Sequence, residues 1–246
     1  MRAFRGGLQV CHVASALNQE PADQAARVRP NVMGDARSPA TDRNDADATA
    51  VRVAVRVRPR LAGETSSDCL SKVPERPQIV LGKERSFTFD HVFDPSSQQD
   101  SVHSTCVTPL LESFFQGYNV TIFAYGQTGS GKTYTMGSAS TTASDAARGI
   151  IPRAIADIYE HIERLSDTQA FRIRVSFLEI YNEDIRDLLD PAKGKGAIAV
   201  REDVQGNVAV VGAEEEECSS AEAMLSCLHR GTLRRSTAET NMNETS

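Results

Sequence analysis

GQTGSGKT, from Gly126 to Thr133, is the stretch on which the reading of this 246-residue chain turns. It fits the spacing G-x-x-x-x-G-K-[ST], a loop that holds phosphate groups. Each residue type has a reason to be there. Glycines let backbone N–H groups turn inward around phosphate oxygens, and the N-terminus of a following helix adds partial positive charge. Lys132 supplies a mobile cation, and the Thr133 hydroxyl is of the kind that ligates Mg²⁺. The candidate phosphate-binding set is therefore Gly126, Gln127, Thr128, Gly129, Ser130, Gly131, Lys132 and Thr133, with Thr133 also the candidate metal ligand. The bland alternative is a glycine-rich turn that matches by chance, which average residue usage allows in roughly one chain of this length per hundred. Context favours the loop. Val120 to Tyr125 (VTIFAY) is a short, almost wholly apolar run, predicting a strand buried on both faces immediately before it.

Working outward, Val102, Cys106, Leu110 and Phe114 recur every four residues beside Val107, Leu111 and Phe115, which predicts one helix with a kink at Pro109. Gly117 and Asn119 end it. Further back, Phe87, Phe89 and His91 alternate with Thr88, Asp90 and Val92, predicting a strand over Ser86 to Phe93. Val51, Val53, Val55 and Val57 predict another, stopped by Pro59. Beyond the loop, a Ser, Thr and Ala stretch around Ser138 to Ala147 precedes a helix marked by Ile151, Ile155, Ile158, Ile162 and Leu165, with Pro152 in its first turn. Phe171, Ile173, Val175 and Phe177 predict a strand. Ser219 and Glu222 read as a capping box for a last helix that Gly231 closes. Interleaved strands and helices make the class α/β.

Residues 1–50 differ from the rest: they contain no lysine, and six arginines stand against six acidic residues without sustained periodicity. They read as a disordered extension, with a weak likeness to an organellar transit peptide in the acid-free start carrying Arg2 and Arg5. A formal net charge of -6 argues against nucleic-acid binding through a broadly basic surface. No apolar run approaches the roughly 20 residues that span a bilayer, so no membrane partner is expected. The five cysteines are scattered and lack the close spacings of zinc or redox motifs, and read as free thiols. His91, His103, His161 and His229 lack ligand spacing and are read as structural.

The segment GYNVTIFAYGQTGSGKTYTMG, from Gly117 to Gly137, resembles the nucleotide loop of kinesin motor domains. The resemblance continues in VRVAVRVRPR at Val51, FTFDHVFDPSS at Phe87, RGIIPRAI at Arg148 and FLEIYNEDIRDLL at Phe177. The details SFTFDHVFDPS, GSGKTYTMGSA and REDVQGNVAVVG are most similar to the chromokinesin branch, the fourth kinesin family. The likeness implies a P-loop NTPase fold over residues 51–246, with a central, mostly parallel sheet and helices on both faces. It also implies ATP and Mg²⁺ as ligands, microtubules as partner, and a cytoplasmic, cytoskeletal location. Arg56, Arg58 and Pro59 would line an adenine pocket with Tyr134 stacked opposite, since an aromatic face and a proline ring can sandwich a purine. For the two arginines a solvated strand face is the alternative.

Kinesins carry a first switch, N-x-x-S-S-R-S-H, whose opening four positions fall on Asn243, Glu244, Thr245 and Ser246. The sequence ends inside this motif, and the second switch, D-x-x-G-x-E, is not matched. The resemblance thus implies a C-terminally incomplete motor domain with little ATPase activity of its own. The D-x-x-G at Asp203 to Gly206 lacks a preceding apolar strand and is read as a surface turn. Lys193, Lys195 and Arg201 fall in a region similar to a minor tubulin-contacting lobe, with an ordinary solvated loop as the alternative. Glu214 to Glu217 is read as a solvated turn.

Overall fold

The computed structural model describes residues 20–21, 51–61, 69–82, 84–137, 144–194, 196–202, 204, 206 and 208–244. The expected 1–50 extension, apart from residues 20–21, lies outside them. So do Thr245 and Ser246, Lys195, Asp203 and the stretch 138–143. The chain divides into two compact units, one from Pro21 to Ser96 and one containing everything from Ser97 onward.

In the first unit, β1 (Ala54–Arg56) runs parallel to β5 (His91–Phe93), pairing Val55 with Val92. Between them in sequence lies an antiparallel meander of β2 (Leu70–Lys72), β3 (Gln78–Leu81) and β4 (Arg85–Thr88). The strand expected over Ser86 to Phe93 is split by Asp90. Its carboxylate accepts the Val53 N–H at 2.7 Å, and its own N–H donates to the Val53 carbonyl at 3.1 Å. That exchange moves the chain from the meander to β1, so one alternating pattern serves two sheets.

The second unit is mainly helical. The single kinked helix expected between Val102 and Phe115 is two helices, α1 (Gln99–Cys106) and α2 (Thr108–Phe115), meeting at the fully buried Val107. Pro109 has no N–H to give and sits in the first turn of α2, so it starts a helix rather than bending one. Then come α3 (Lys132–Met136) and α4 (Ile150–Leu165); of the residues that marked α4 in the sequence, Ile155 and Ile158 are buried while Ile151, Ile162 and Leu165 are half-buried, and Ile150 and Tyr159 are buried beside them. His161 on α4 stacks flat on Phe115 of α2, ring centroids 3.6 Å apart. The strand expected over Phe171 to Phe177 is reduced to β6 (Arg174–Val175). Hairpins follow, β7 (Leu178–Tyr181) with β8 (Asp184–Asp187) and β9 (Ala199–Glu202) with β10 (Val208–Val211). Gly206, at φ 85°, lies between β9 and β10, in the stretch that carries the D-x-x-G match.

The acidic run is not a free turn. Glu216 and Glu217 form β11, antiparallel to β6, and each of the four glutamates meets a different cation. Glu214 pairs with Lys193 at 3.0 Å, Glu215 with Arg174 at 3.3 Å, Glu217 with Arg172 at 3.7 Å, and Glu216 with Arg230. Arg172 and Arg174 lie in or beside β6, so sheet register brings opposite charges together.

The last helix, α5 (Ala221–Glu244), corrects two expectations. Its cap is Ser220, not Ser219: the Ser220 hydroxyl accepts the Ala223 N–H at 3.2 Å. Gly231 does not end it. An ideal Cβ there would lie 2.1 Å from Cδ1 of the buried Phe177, so the missing side chain lets helix and ring meet in mid-helix.

Val120 to Tyr125 departs furthest from expectation. It forms no strand, and among the described residues it has no ladder partner. Val120, Ile122 and Ala124 are half-buried, whereas Phe123 is 68% and Tyr125 92% exposed. A buried strand needs neighbours on both edges to take its N–H and C=O groups. The architecture is α/β, with the one-sheet arrangement replaced, among the described residues, by several small ladders of which β1 with β5 is parallel.

Candidate phosphate-binding site

The loop from Gly126 to Gly131 precedes α3, as expected, but the segment Val120–Tyr125 ahead of it forms no ladder among the described residues, so only the helix side of the expected strand–loop–helix context is seen. Gly131 caps α3 at φ 99°, a left-handed conformation that only glycine adopts at little cost. Gly126 is needed for space as well: a Cβ there would lie 2.6 Å from the Ser130 hydroxyl oxygen. The Ser130 N–H closes the loop on the Gln127 carbonyl at 3.2 Å. Lys132 is folded back, its ammonium donating to the Gly126 and Gln127 carbonyls at 2.8 and 2.9 Å. Those oxygens satisfy the cation where phosphate oxygens could replace them, and Thr133, the next residue, is exposed. Glycine-walled space, one ammonium held only by backbone acceptors and an accessible hydroxyl fit a magnesium–polyphosphate group.

The structure seats α3 by contacts that carried no sequence signal. Gln99, at the start of α1, is 2% exposed, and its amide donates to the Tyr134 carbonyl at 2.7 Å. Gly137, just after α3, lies against Gly149, just before α4. A Cβ on Gly149 would fall 2.3 Å from the Gly137 nitrogen. Glycine pairs at this spacing could have been flagged as a close backbone approach, but nothing marks which glycine meets which.

Of the expected adenine set, Arg56 and Arg58 are half-buried, the Arg58 guanidinium donating to the Pro59 carbonyl at 3.2 Å, and Pro59 is exposed. These three belong to the first unit. Tyr134 belongs to the second and exposes its ring. Asn243 lies in the last turn of α5. Lys193 is engaged by Asp187, Asp190 and Glu214, and the hydrogen bond it donates to Glu214 chiefly raises its pKa.

Other titratable groups away from the loop are structural. His103 is buried with Nε2 3.5 Å from an Asp157 oxygen, and desolvation holds its pKa below the usual value despite that carboxylate. Cys218 and Cys227, nine positions apart, stand with their sulfurs 3.7 Å apart, buried, and burial pushes the Cys227 thiol up to about 12. Beside them the Tyr159 hydroxyl donates to the Cys218 carbonyl at 2.9 Å, and burial raises that phenol to about 12. No group of three or more His, Cys, Asp or Glu suited to a metal occurs among the described residues, nor is any described helix long and apolar enough to cross a membrane.

A family model described as "Kinesin motor domain" matches residues 27–246, beginning ahead of Val51. The chain is 47% identical over 201 residues to "Chromosome-associated kinesin KIF4A" of Homo sapiens, covering 80% of this chain and 16% of that protein. It is 45% identical over 198 residues to "Kinesin-like protein KIF27" of Rattus norvegicus, covering 79% of this chain and 14% of that one. A match of 45% over 199 residues to "Kinesin-like protein kif7" of Danio rerio covers the same shares. The chain thus spans a small part of the length of the curated relatives it matches.

Proposed function

The chain belongs to the kinesin motor-domain family, and on that premise we propose that it is the ATP-binding part of a microtubule-based motor. The observation that carries the reading is the glycine-walled loop with Lys132 held on two backbone carbonyls. On this reading Lys132 leaves the Gly126 and Gln127 oxygens for the β and γ phosphates of ATP, and Gly126 to Gly131 wrap them. The Thr133 hydroxyl holds Mg²⁺, which when bound neutralises charge on the phosphate oxygens. Arg56, Arg58 and Pro59 of the first unit contact the adenine on this reading, and the residues from Asn243 to Ser246 begin the first switch. The family's central, mostly parallel sheet belongs to the same reading, as does association with cytoplasmic microtubules.

Phosphate release by the full 246-residue chain, measured with Mg·ATP with and without microtubules, tests the proposal. Stimulated release supports a motor head. Nucleotide binding without stimulated release assigns the chain instead a non-catalytic nucleotide- or tubulin-binding role. Absence of nucleotide binding overturns the ATP-binding reading, and absence of microtubule binding as well overturns the alternative.

A further inference from the structure

α3 is five residues long and carries both Lys132 and Thr133. A helix that short does not hold its own geometry in water, because nucleation costs more than so few hydrogen bonds return. Its internal bonds include Thr135 N–H to Gly131 O and Gly137 N–H to Thr133 O, each 2.9 Å. The Tyr134 carbonyl falls among the last four of the helix, which have no acceptor role inside it. Gln99 answers that need. Its side-chain nitrogen reaches across 35 positions of sequence to the Tyr134 oxygen at 2.7 Å, and lies 3.5 Å from the Ala147 oxygen in the turn before α4. Gln99 is almost wholly buried, so water does not compete for this donor. The Gly137–Gly149 contact holds the other end of α3 against the start of α4. Amide and glycine pair together fix α3 between α1 and α4, one turn from the loop.

From this we infer that Gln99 is a positioning residue for the phosphate site: its amide, by holding the Tyr134 carbonyl, sets where α3 presents Lys132 and Thr133. The inference rests on the phosphate-loop reading above. It assigns Gln99 no contact with nucleotide. A buried amide that served stability alone would affect the whole unit when removed, whereas a positioning amide acts first on α3 and on nucleotide affinity.

The test uses the full chain with Gln99→Met, which keeps the length and loses the donor. Tyr159→Phe is the structural control, since its hydroxyl serves the Cys218 carbonyl rather than α3. Should Gln99→Met not fold, Gln99→Leu carries the same test, losing the donor with a smaller apolar side chain. Amide hydrogen exchange is read at Thr135 and Gly137 and along α4, and Mg·ATP affinity is read by titration. Removing the Gln99 donor predicts that protection in α3 falls by about tenfold or more, that α4 keeps its protection, and that affinity falls by about tenfold. Tyr159→Phe is expected to lower the thermal midpoint without either effect. Two results overturn the inference alone: protection lost evenly across the unit with affinity intact, or no change at α3. Failure of the unsubstituted chain to bind Mg·ATP overturns the phosphate-loop reading and this inference with it.

Discussion

In the phosphate loop, glycines at φ 154°, 78° and 99° and one lysine make a site whose ammonium rests only on neighbouring carbonyls. In the seam where α4 and α5 meet β6 and β11, the polar side chains are engaged by other parts of the chain at several points. Four glutamates meet four cations, Tyr159 bonds the Cys218 carbonyl, and Arg234 donates to the Leu188 and Leu189 carbonyls. The loop is written for a ligand and the seam for the chain itself. Substitutions in the two regions should therefore fail in different measurements, affinity for one and stability for the other.

The largest effect is expected at Lys132. Lys132→Ala removes the charge that answers phosphate and should weaken Mg·ATP binding by about a hundredfold or more, with the thermal midpoint within about 2 °C of the parent. A large midpoint loss would show the lysine to be part of the scaffold and dissolve the contrast. Next comes Gly231→Ala, which drives a methyl group into Phe177. Overpacking of this kind costs about 1–3 kcal/mol, read in chemical denaturation, with nucleotide affinity per folded molecule unchanged.

Tyr159→Phe is expected to cost about 1 kcal/mol. It also has a pH signature. The folded phenol titrates near 12 against an ordinary 10, so the unfolded chain loses its proton first. The stability this group contributes is complete below pH 10 and is lost as pH rises from 10 to 12. Tyr159→Phe should flatten the alkaline fall in midpoint, leaving the part due to Cys227, whose thiol is shifted from 9.0 to about 12. An unchanged alkaline slope would remove Tyr159 from the seam's account. The smallest effect belongs to Glu217→Gln, whose partner Arg172 is as exposed as itself: about 0.2–0.5 kcal/mol, vanishing at high salt.

The same division explains what could be read from sequence. The glycine-rich turn leading into α3 was legible because its residues recur at fixed spacing, and α4 because one face of it is apolar. The seam was not. Glu214 to Glu217 looks like any solvated acidic run until β6 delivers Arg172 and Arg174 beside it. Gly231 looks like a helix stop until Phe177 arrives from 54 positions earlier in the sequence. Gln99 carries no motif at all, since one donor aimed at one distant carbonyl leaves no pattern along the chain. Val120–Tyr125 shows the converse error: its apolar run was real, but burial is set by neighbours, which local sequence does not contain. Ser220 displaced Ser219 as cap by a single position, a choice of backbone geometry that composition cannot rank.

The measurement closest to the central claim is a calorimetric titration of the full chain with Mg·ATP, run beside Lys132→Ala under conditions where both melt cooperatively. Saturable binding at one site per chain that is lost in Lys132→Ala is the predicted result. Equal binding by both proteins, or none by either, would contradict the assignment of Gly126 to Thr133 as the phosphate site.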